Sequence, residues 1–500
     1  MLTDIDTLRL VFGLKIQYLR REANLSYQQL SELTGLAVSY LHDIEKGKKY
    51  PKADKIMSLA KALGTDYNYL VSLDAGKKLK PIIDLLHSDF LKIFPLELFG
   101  INMPKLVELI SDTPDRVNAF ISTIIKIIRN YQLRGEDFYK AALRSYQDIH
   151  DNYFEDIEQK VREFKSNNQL NLVSTRQLER LLLSSFGIHT NRQLLPEQAG
   201  LAAIRSYYLP EQKTLYINQG LSQAQENFLL AKEIGFQCLG LKERPLETRM
   251  LEVGSFDKLL NNFKASYFSV ALLMDEAAVV EEVEKMAAWK KWDADRFLGL
   301  MKKYTLTSEM LLQRLANILP RHFGIKDLFF LRFFTDAAEQ KFEMTKEMHL
   351  SQLHNPHANH LDEHYCRRWV SISLIRKMKA LNSLENTSIE LAGAQVSRYW
   401  GTDNAYLCLS IAKPAHHEHD NSTSVTIGLL VNDQLKQLFR FLEDSELPIR
   451  DVHTTCERCP ISDCEARAAP PVALQRLNTK QRIKTELESI KEMVNKNLMV

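Results

Sequence analysis

The chain has 500 residues, enough for several hydrophobic cores at about 150 residues per domain, and 45% of them are hydrophobic, an ordinary globular share. Lys and Arg number 65 against 63 Asp and Glu, so the net charge of +2 excludes any argument for a nucleic-acid partner from global charge. No stretch approaches the ~18 unbroken apolar residues of a membrane span. The start, Met1-Leu2-Thr3-Asp4-Ile5-Asp6, has neither the basic nor the apolar part of a secretory signal, which predicts a cytoplasmic protein with no membrane partner.

Glycine is scarce, at 18 residues, and helical periodicity dominates the first two thirds. The expected fold class is mainly α with an α+β C-terminal half. Residues 1–80 hold 13 Lys and Arg against 9 Asp and Glu, a mild local excess of positive charge. Apolar residues from Leu8 to Glu22 recur at helical spacing. Ser26 with Gln29 three residues on is a capping box that starts a second helix. Leu30 and Leu33 form its inner face, and Gly35 supplies the turn. A third helix runs from Val38 to about Lys46, with Leu41 and Ile44 inward, and Gly47 closes it. Two short helices around a glycine-containing turn are the helix-turn-helix signature.

From about Leu8 to Leu73 the chain resembles XRE/Cro-type helix-turn-helix domains, most clearly at Leu30-Ser31-Glu32-Leu33-Thr34-Gly35-Leu36 and Tyr40-Leu41-His42-Asp43-Ile44-Glu45-Lys46-Gly47. The resemblance implies a five-helix domain on a double-stranded DNA operator, bound as a homodimer. It places Val38, Ser39, Tyr40 and Asp43 at base edges in the major groove. Tyr27 and Gln28 would start the helix over a phosphate, and Lys46, Lys48 and Lys49 would add phosphate contacts.

Lys77-Lys78-Leu79-Lys80-Pro81 marks a boundary, and Pro95, Pro104 and Pro114 punctuate short helices beyond it. Tyr131 to Phe164 reads as one long amphipathic helical region, so 77–165 is expected to be a helical connector. Lys213–Asn218 alternates like a strand, and Gln225–Leu241 reads as a helix. Phe228-Leu229-Leu230-Ala231-Lys232-Glu233-Ile234-Gly235-Phe236-Gln237 resembles the zinc helix of ImmA/IrrE-type metallopeptidases, where an HExxH motif sets two histidines one turn apart. Lys232 and Phe236 occupy the histidine positions, and Ala271 matches the third, carboxylate ligand. Only Glu233, at the general-base position, remains. The resemblance implies a degenerate zincin-like domain with no hydrolytic activity, since hydrolysis needs the metal to activate water. Glu233 then reads as a solvated or paired surface carboxylate.

After Asp327 a β-rich run begins, with further strand-like segments at Ile389–Trp400, Ala405–Ala412 and Ser424–Val431. Helical segments near Arg367–Leu381 and Asp433–Leu442 alternate with them. Five histidines lie between His349 and Cys366, and His360 with His364 has metal-pair spacing, although Asn355-Pro356 and Asn359 favour a polar loop. His416, His417 and His419 read as a turn beside Pro414. Cys238 and Cys408 sit in apolar runs and read as buried thiols.

Cys456-Glu457-Arg458-Cys459-Pro460-Ile461-Ser462-Asp463-Cys464 gathers three of the chain's 6 cysteines in nine residues. Such thiols bind a soft metal or an iron–sulfur cluster, or form a redox switch, and Cys366 could supply a fourth. Together with Cys366-Arg367-Arg368-Trp369, this run resembles the short-chain fatty acyl-CoA-responsive transcriptional regulators. The resemblance implies a regulator, not an enzyme. It implies a GAF-like α+β sensor domain with a short-chain acyl-CoA as effector. It also implies a 4Fe-4S cluster on Cys366, Cys456, Cys459 and Cys464. Zinc would accept the same thiolates. Arg332, Arg367, Arg368 and Arg398 are candidates for the acyl-CoA phosphates. The expected domains are 1–76 helix-turn-helix, 77–165 connector, 166–320 peptidase-like, 321–475 sensor and 476–500 C-terminal helix. A metal or redox sensor without acyl-CoA is the alternative reading. A protease that cuts a partner repressor is a third.

Overall fold

The computed structural model describes residues 4–72, 135–193, 195, 201, 204–248, 253–336, 341–350, 363–385, 389–414 and 421–497. The expected boundary at Lys77–Pro81 and the proline-punctuated helices lie outside them. The chain divides into two compact units, Met1–Tyr146 with Leu251–Leu260, and Gln147–Met250 with Asn261–Val500.

The first unit opens with five helices, α1 (Asp4–Glu22), α2 (Tyr27–Thr34), α3 (Val38–Glu45), α4 (Ala53–Ala62) and α5 (Tyr67–Val71). Their core is Phe12, Ile16, Leu30, Leu41, Ile44, Ile56 and Leu59. Both halves of the expected capping box form, Gln29 N–H to Ser26 Oγ and Ser26 N–H to Gln29 Oε1. Gly35 ends α2 at φ 69°, a left-handed conformation that side chains strain to adopt. Gly13 lets α1 cross α3 closely: a Cβ there would lie 2.4 Å from the Ile44 carbonyl oxygen. Leu33 departs from its expected core role. It is 59% exposed, because the two-turn α2 buries only Leu30. Buried Arg20 clamps buried Glu45 with Nε at 2.7 Å and Nη2 at 2.9 Å. Lys15, fully buried, donates to the Ser72 carbonyl at 2.7 Å, completing the end of α5.

The helical region expected from Tyr131 to Phe164 holds, from residue 135 on, two helices, α6 (Gly135–Ile149) and α7 (Glu155–Asn167). Asp151 and Asn152 separate them at φ 49° and 53°. Asp and Asn tolerate that conformation better than other side chains, and amphipathic spacing on either side hides the break.

The second unit continues through α8 (Thr175–Phe186), β1 (His189–Asn191), β2 (Ser206–Leu209), β3 (Thr214–Ile217) and α9 (Gln223–Cys238). Helices α10 (Phe256–Leu273), α11 (Glu276–Ala287), α12 (Ala294–Tyr304) and α13 (Ser308–Phe323) follow. β3 lies between β1, parallel, and β2, antiparallel. Arg314 of α13 is fully buried and grips Glu158 of α7 through both Nη atoms, while Tyr267 Oη donates to the same carboxylate at 2.7 Å. Both oxygens of this buried carboxylate therefore face donors, three in all, which is what a buried charge requires.

Six strands build the larger sheet: β4 (Leu328–Thr335), β5 (Phe342–His349), β6 (Leu391–Tyr399), β7 (Ala405–Pro414), β8 (Ser422–Leu430) and β9 (Ile449–Val452). Their order is β5-β4-β8-β7-β6-β9, antiparallel except for the β6–β9 pair. Helix α14 (Val370–Glu385) covers one face with Phe329, Phe333, Trp369, Ile375, Tyr399 and Tyr406. Helix α13 meets β4 and β8. Short α15 (Asp433–Leu438) and long α16 (Val472–Asn497) complete the described chain. The fold is thus mainly helical with an α+β C-terminal half, as the periodicity predicts.

Candidate functional site

Three places carry the residues singled out by sequence. In the first, α3 presents Val38 and Ser39 to solvent, and Gln28 is exposed at the start of α2. Tyr40 is half-buried under two cations, Lys49 at 5.5 Å and Lys55 at 4.5 Å from its ring. Asp43 is tied to Lys49 at 3.2 Å, and its carbonyl accepts the backbone N–H groups of Lys48 and Lys49. The ion pair offsets the repulsion that a carboxylate would otherwise bring to a phosphate backbone. Lys46 is half-buried and Lys48 is exposed. Tyr27 has structural work: its hydroxyl donates to Glu45 at 2.7 Å and its ring lies under the Arg20 guanidinium at 4.0 Å. Burial and Glu45 push that hydroxyl up to about 12.

The second place is the zincin-like helix α9. Lys232 Nζ donates to Asn262 Oδ1 at 2.6 Å and lies 5.7 Å from the Phe236 ring centre. Burial, and then the nearby Arg244 and Lys346, hold its ammonium down at about 7. Phe236 and Ala271 are buried apolar side chains. Glu233 is not the surface carboxylate expected from sequence. It is 2% exposed and bound by both Nη atoms of Arg244, whose guanidinium stacks 3.7 Å from the Phe236 ring centre. Arg244, eleven residues downstream, carried no sequence signal. A carboxylate neutralised by a bidentate arginine and faced by an ammonium is not poised to take a proton from water.

The third place is the cysteine run. A single antiparallel bridge, Tyr365 to Thr455, lays the Cys366 segment beside 453–456. Cys366 N–H donates to the Thr454 carbonyl at 3.2 Å, and Cys456 N–H to the His364 carbonyl at 2.9 Å. Cys366 and Cys459 both lie within electrostatic reach of Cys456, and Cys459 of Cys464. Ala468 N–H donates to Cys456 Sγ at 3.3 Å. Backbone N–H groups of His453 and Arg368 aim at Cys366 Sγ, and that of Ile461 at Cys459. Burial still pushes Cys366 up to about 11 and raises Cys459. Among the described residues no three His, Cys, Asp or Glu side chains are already gathered as metal ligands. The donor set nonetheless fits a thiolate-bound group: four soft sulfurs on one patch, with N–H groups arranged to stabilise sulfur charge.

Two supports of this patch were missed by sequence. Arg467 donates to the carbonyls of Cys456 (2.8 Å), Cys459 (3.1 Å) and Ile461, so one guanidinium pins the loop. Buried Glu457 accepts from the His364 N–H at 2.9 Å and meets its Nδ1 at 2.7 Å, which gives His364 a structural role. His354, His357, His360, His416, His417 and His419 lie outside the described residues. Cys408 and Cys238 are both raised to about 12 by burial, the behaviour of inert structural thiols.

The four arginine candidates do not converge. Arg368 donates to the Asp451 carbonyl at 3.1 Å and Arg398 pairs with the Asp451 side chain at 2.9 Å, so these two share β9. Arg367 is buried with its guanidinium 4.3 Å from the Phe342 ring centre. Arg332, on β4, faces Glu309 of α13 at 3.7 Å. Among the described residues, no helix is long and apolar enough to cross a membrane.

Comparison with known proteins bears on two of the three places. Residues 16–70 match the helix-turn-helix family, and residues 184–316 match the IrrE N-terminal-like domain. The chain therefore carries a DNA-binding module and a peptidase-type scaffold. Among solved structures, a Mycobacterium tuberculosis transcriptional regulator is similar at a TM-score of 0.45 and 19% identity, over 65% of this chain and 92% of that one. No curated protein sequence matches.

Proposed function

We propose that the protein is a DNA-binding transcriptional regulator. Its C-terminal half would hold a 4Fe-4S cluster, or zinc, on Cys366, Cys456, Cys459 and Cys464, and respond to a short-chain acyl-CoA. The bridge that lays Cys366 beside the Cys456–Cys464 run carries this reading, because it supplies a fourth thiol 90 residues away in sequence. When bound, the cluster would supply redox chemistry. This chain's residues would hold and orient it, and Arg467 and the sulfur-directed N–H groups would keep the loop in place.

The active form would be a homodimer. Every residue of α16 from 475 to 491 is exposed, and a helix of this length gains little stability alone in water. Ile483, Leu487 and Ile490 are about half exposed at coiled-coil spacing. In a parallel pair, Glu486 of one copy faces Lys491 of the other. A second copy of this chain is thus the occupant that the charges favour.

Anaerobic purification with a visible spectrum and iron, sulfide and zinc analysis tests the metal reading. DNA affinity titrated with acyl-CoAs tests the effector. About four irons per chain and an acyl-CoA-dependent shift support the proposal. The scatter of the four arginines favours a second reading, a metal or redox sensor in which oxidation alone shifts DNA affinity.

A further inference from the structure

The sheet face opposite α14 carries an unusual charge pattern where it meets α13. Arg332 and Lys346 are direct cross-strand partners on β4 and β5, a like-charged pairing that is unfavourable alone. Two strands away, Lys413 of β7 pairs with Thr423 of β8, and Thr423 is in turn opposite Phe334. Phe334 lies two residues from Arg332, so Arg332, Thr423 and Lys413 share one face. Over this face comes the N-terminus of the 16-residue α13, whose Glu309 meets Arg332 at 3.7 Å and Lys346 more closely. From α9, Lys232 lies within electrostatic reach of Lys346, as Arg205 does of Lys413. Six cations, Arg205, Lys232, Arg244, Arg332, Lys346 and Lys413, therefore stand against three carboxylates, Glu233, Glu309 and Glu390, and Arg244 already takes up Glu233. Lys232, Glu309, Arg332 and Lys413 are only partly exposed.

Three polar groups at this place have no hydrogen-bond partner among the described residues: Thr423 Oγ1, Ser308 Oγ and Arg244 Nε. Thr423 is 4% exposed and Ser308 1%. Buried hydroxyls without partners cost stability. A hydroxyl on the same sheet face as Arg332 and Lys413 is arranged to donate to an oxyanion.

We infer that this charged sheet face binds a phosphate-bearing small molecule, held by Arg332, Lys346, Lys413 and Lys232 with Thr423 as hydroxyl donor. A zincin scaffold holds a cation with histidines and a carboxylate. Here the first histidine position carries an ammonium, so the ligand sign is inverted. The inference stands apart from the cysteine patch and from Arg367, Arg368 and Arg398, and takes only Arg332 from the acyl-CoA candidates. It goes beyond the regulator reading by assigning a phosphate ligand to the sheet face that α13 covers, with Lys232 of the remnant peptidase scaffold at its edge.

The test is calorimetric titration of the full-length protein with pyrophosphate at low ionic strength. Binding should be saturable and weaken with added salt. Lys413→Gln and Thr423→Val should each weaken it roughly tenfold, the loss of one charged or hydroxyl contact. Lys232→Met tests the same site from a different element, should a sheet variant misfold. Lys61→Gln, exposed on α4 of the first unit, should leave binding unchanged. Absence of binding to folded protein, binding unmoved by Lys413→Gln, Thr423→Val and Lys232→Met, or loss in Lys61→Gln would overturn the inference. Acyl-CoA titration of DNA affinity in the same variants reads the effector proposal separately: failure there with pyrophosphate binding intact sinks that proposal and leaves the phosphate site standing.

Discussion

Arg244 holds both carboxylate oxygens of Glu233, in the position where a zincin keeps its general base free. Both side chains are buried, at 9% and 2% exposure, so each depends on the other for its charge. Arg244→Met should destabilise the protein by about 3–5 kcal/mol, because it strands a buried carboxylate. Adding Glu233→Gln to that variant should recover most of the loss. Urea unfolding of the single and double variants checks the pair. Additive losses would mean that the two side chains contribute independently.

Lys232 gives the second unit a pH signature. Its folded pKa, about 7, lies well below the ordinary lysine value of 10.5. The groups that face it are Arg244, Lys346 and Glu233, with Asn262 accepting its hydrogen bond. Between these two pKa values the unfolded chain binds a proton that the folded chain has released. The lysine's penalty is therefore full below about pH 7 and is relieved as pH rises toward 10.5. Lys232→Met should remove that rise, so the gap between wild-type and variant stability should narrow steadily from about pH 7 toward pH 10.5. Parallel stability–pH curves would count against a depressed lysine.

The side chains proposed to face DNA separate by role. Ser39 is exposed on α3, and Ser39→Ala should relax preference at one base pair by about 1–3 kcal/mol while leaving non-specific affinity unchanged. Lys48→Ala should weaken all sequences alike and flatten the salt dependence by about 0.9 in log–log slope, one phosphate contact. Tyr27→Phe should act on stability instead, since its hydroxyl serves Glu45. Binding titrations against operator and scrambled duplex at several salt concentrations separate these effects.

Local signals were readable and long-range ones were not. The Ser26–Gln29 capping box, the Gly35 turn and the alternating strands all follow from spacing within about ten residues, and each formed. The break at Asp151-Asn152 was hidden because amphipathic spacing runs through both flanking helices. Leu33 was misplaced because two turns of helix do not define a face. Arg244, Arg467 and Thr423 gave no signal: each acquires its role from a partner brought near by the fold. Among the cysteines, residue type and spacing pointed to a thiolate site, and the Tyr365–Thr455 bridge lays Cys366 beside the Cys456 segment, which spacing alone could not show.

Arg467 provides the sharpest test of the cysteine patch. Its guanidinium reaches three carbonyls spanning Cys456 to Ile461, so it fixes the loop through backbone rather than through sulfur. Arg467→Lys keeps the charge but loses the planar fork that reaches several acceptors at once. The variant should fold and bind DNA as wild type does. Under anaerobic conditions it should retain less iron or zinc per chain and lose it faster to a chelator. Hydrogen exchange at residues 456–464 should rise even in metal-free protein, because the tether does not depend on a bound ion. Unchanged exchange there, with unchanged metal retention, would remove Arg467 from any role in shaping the site.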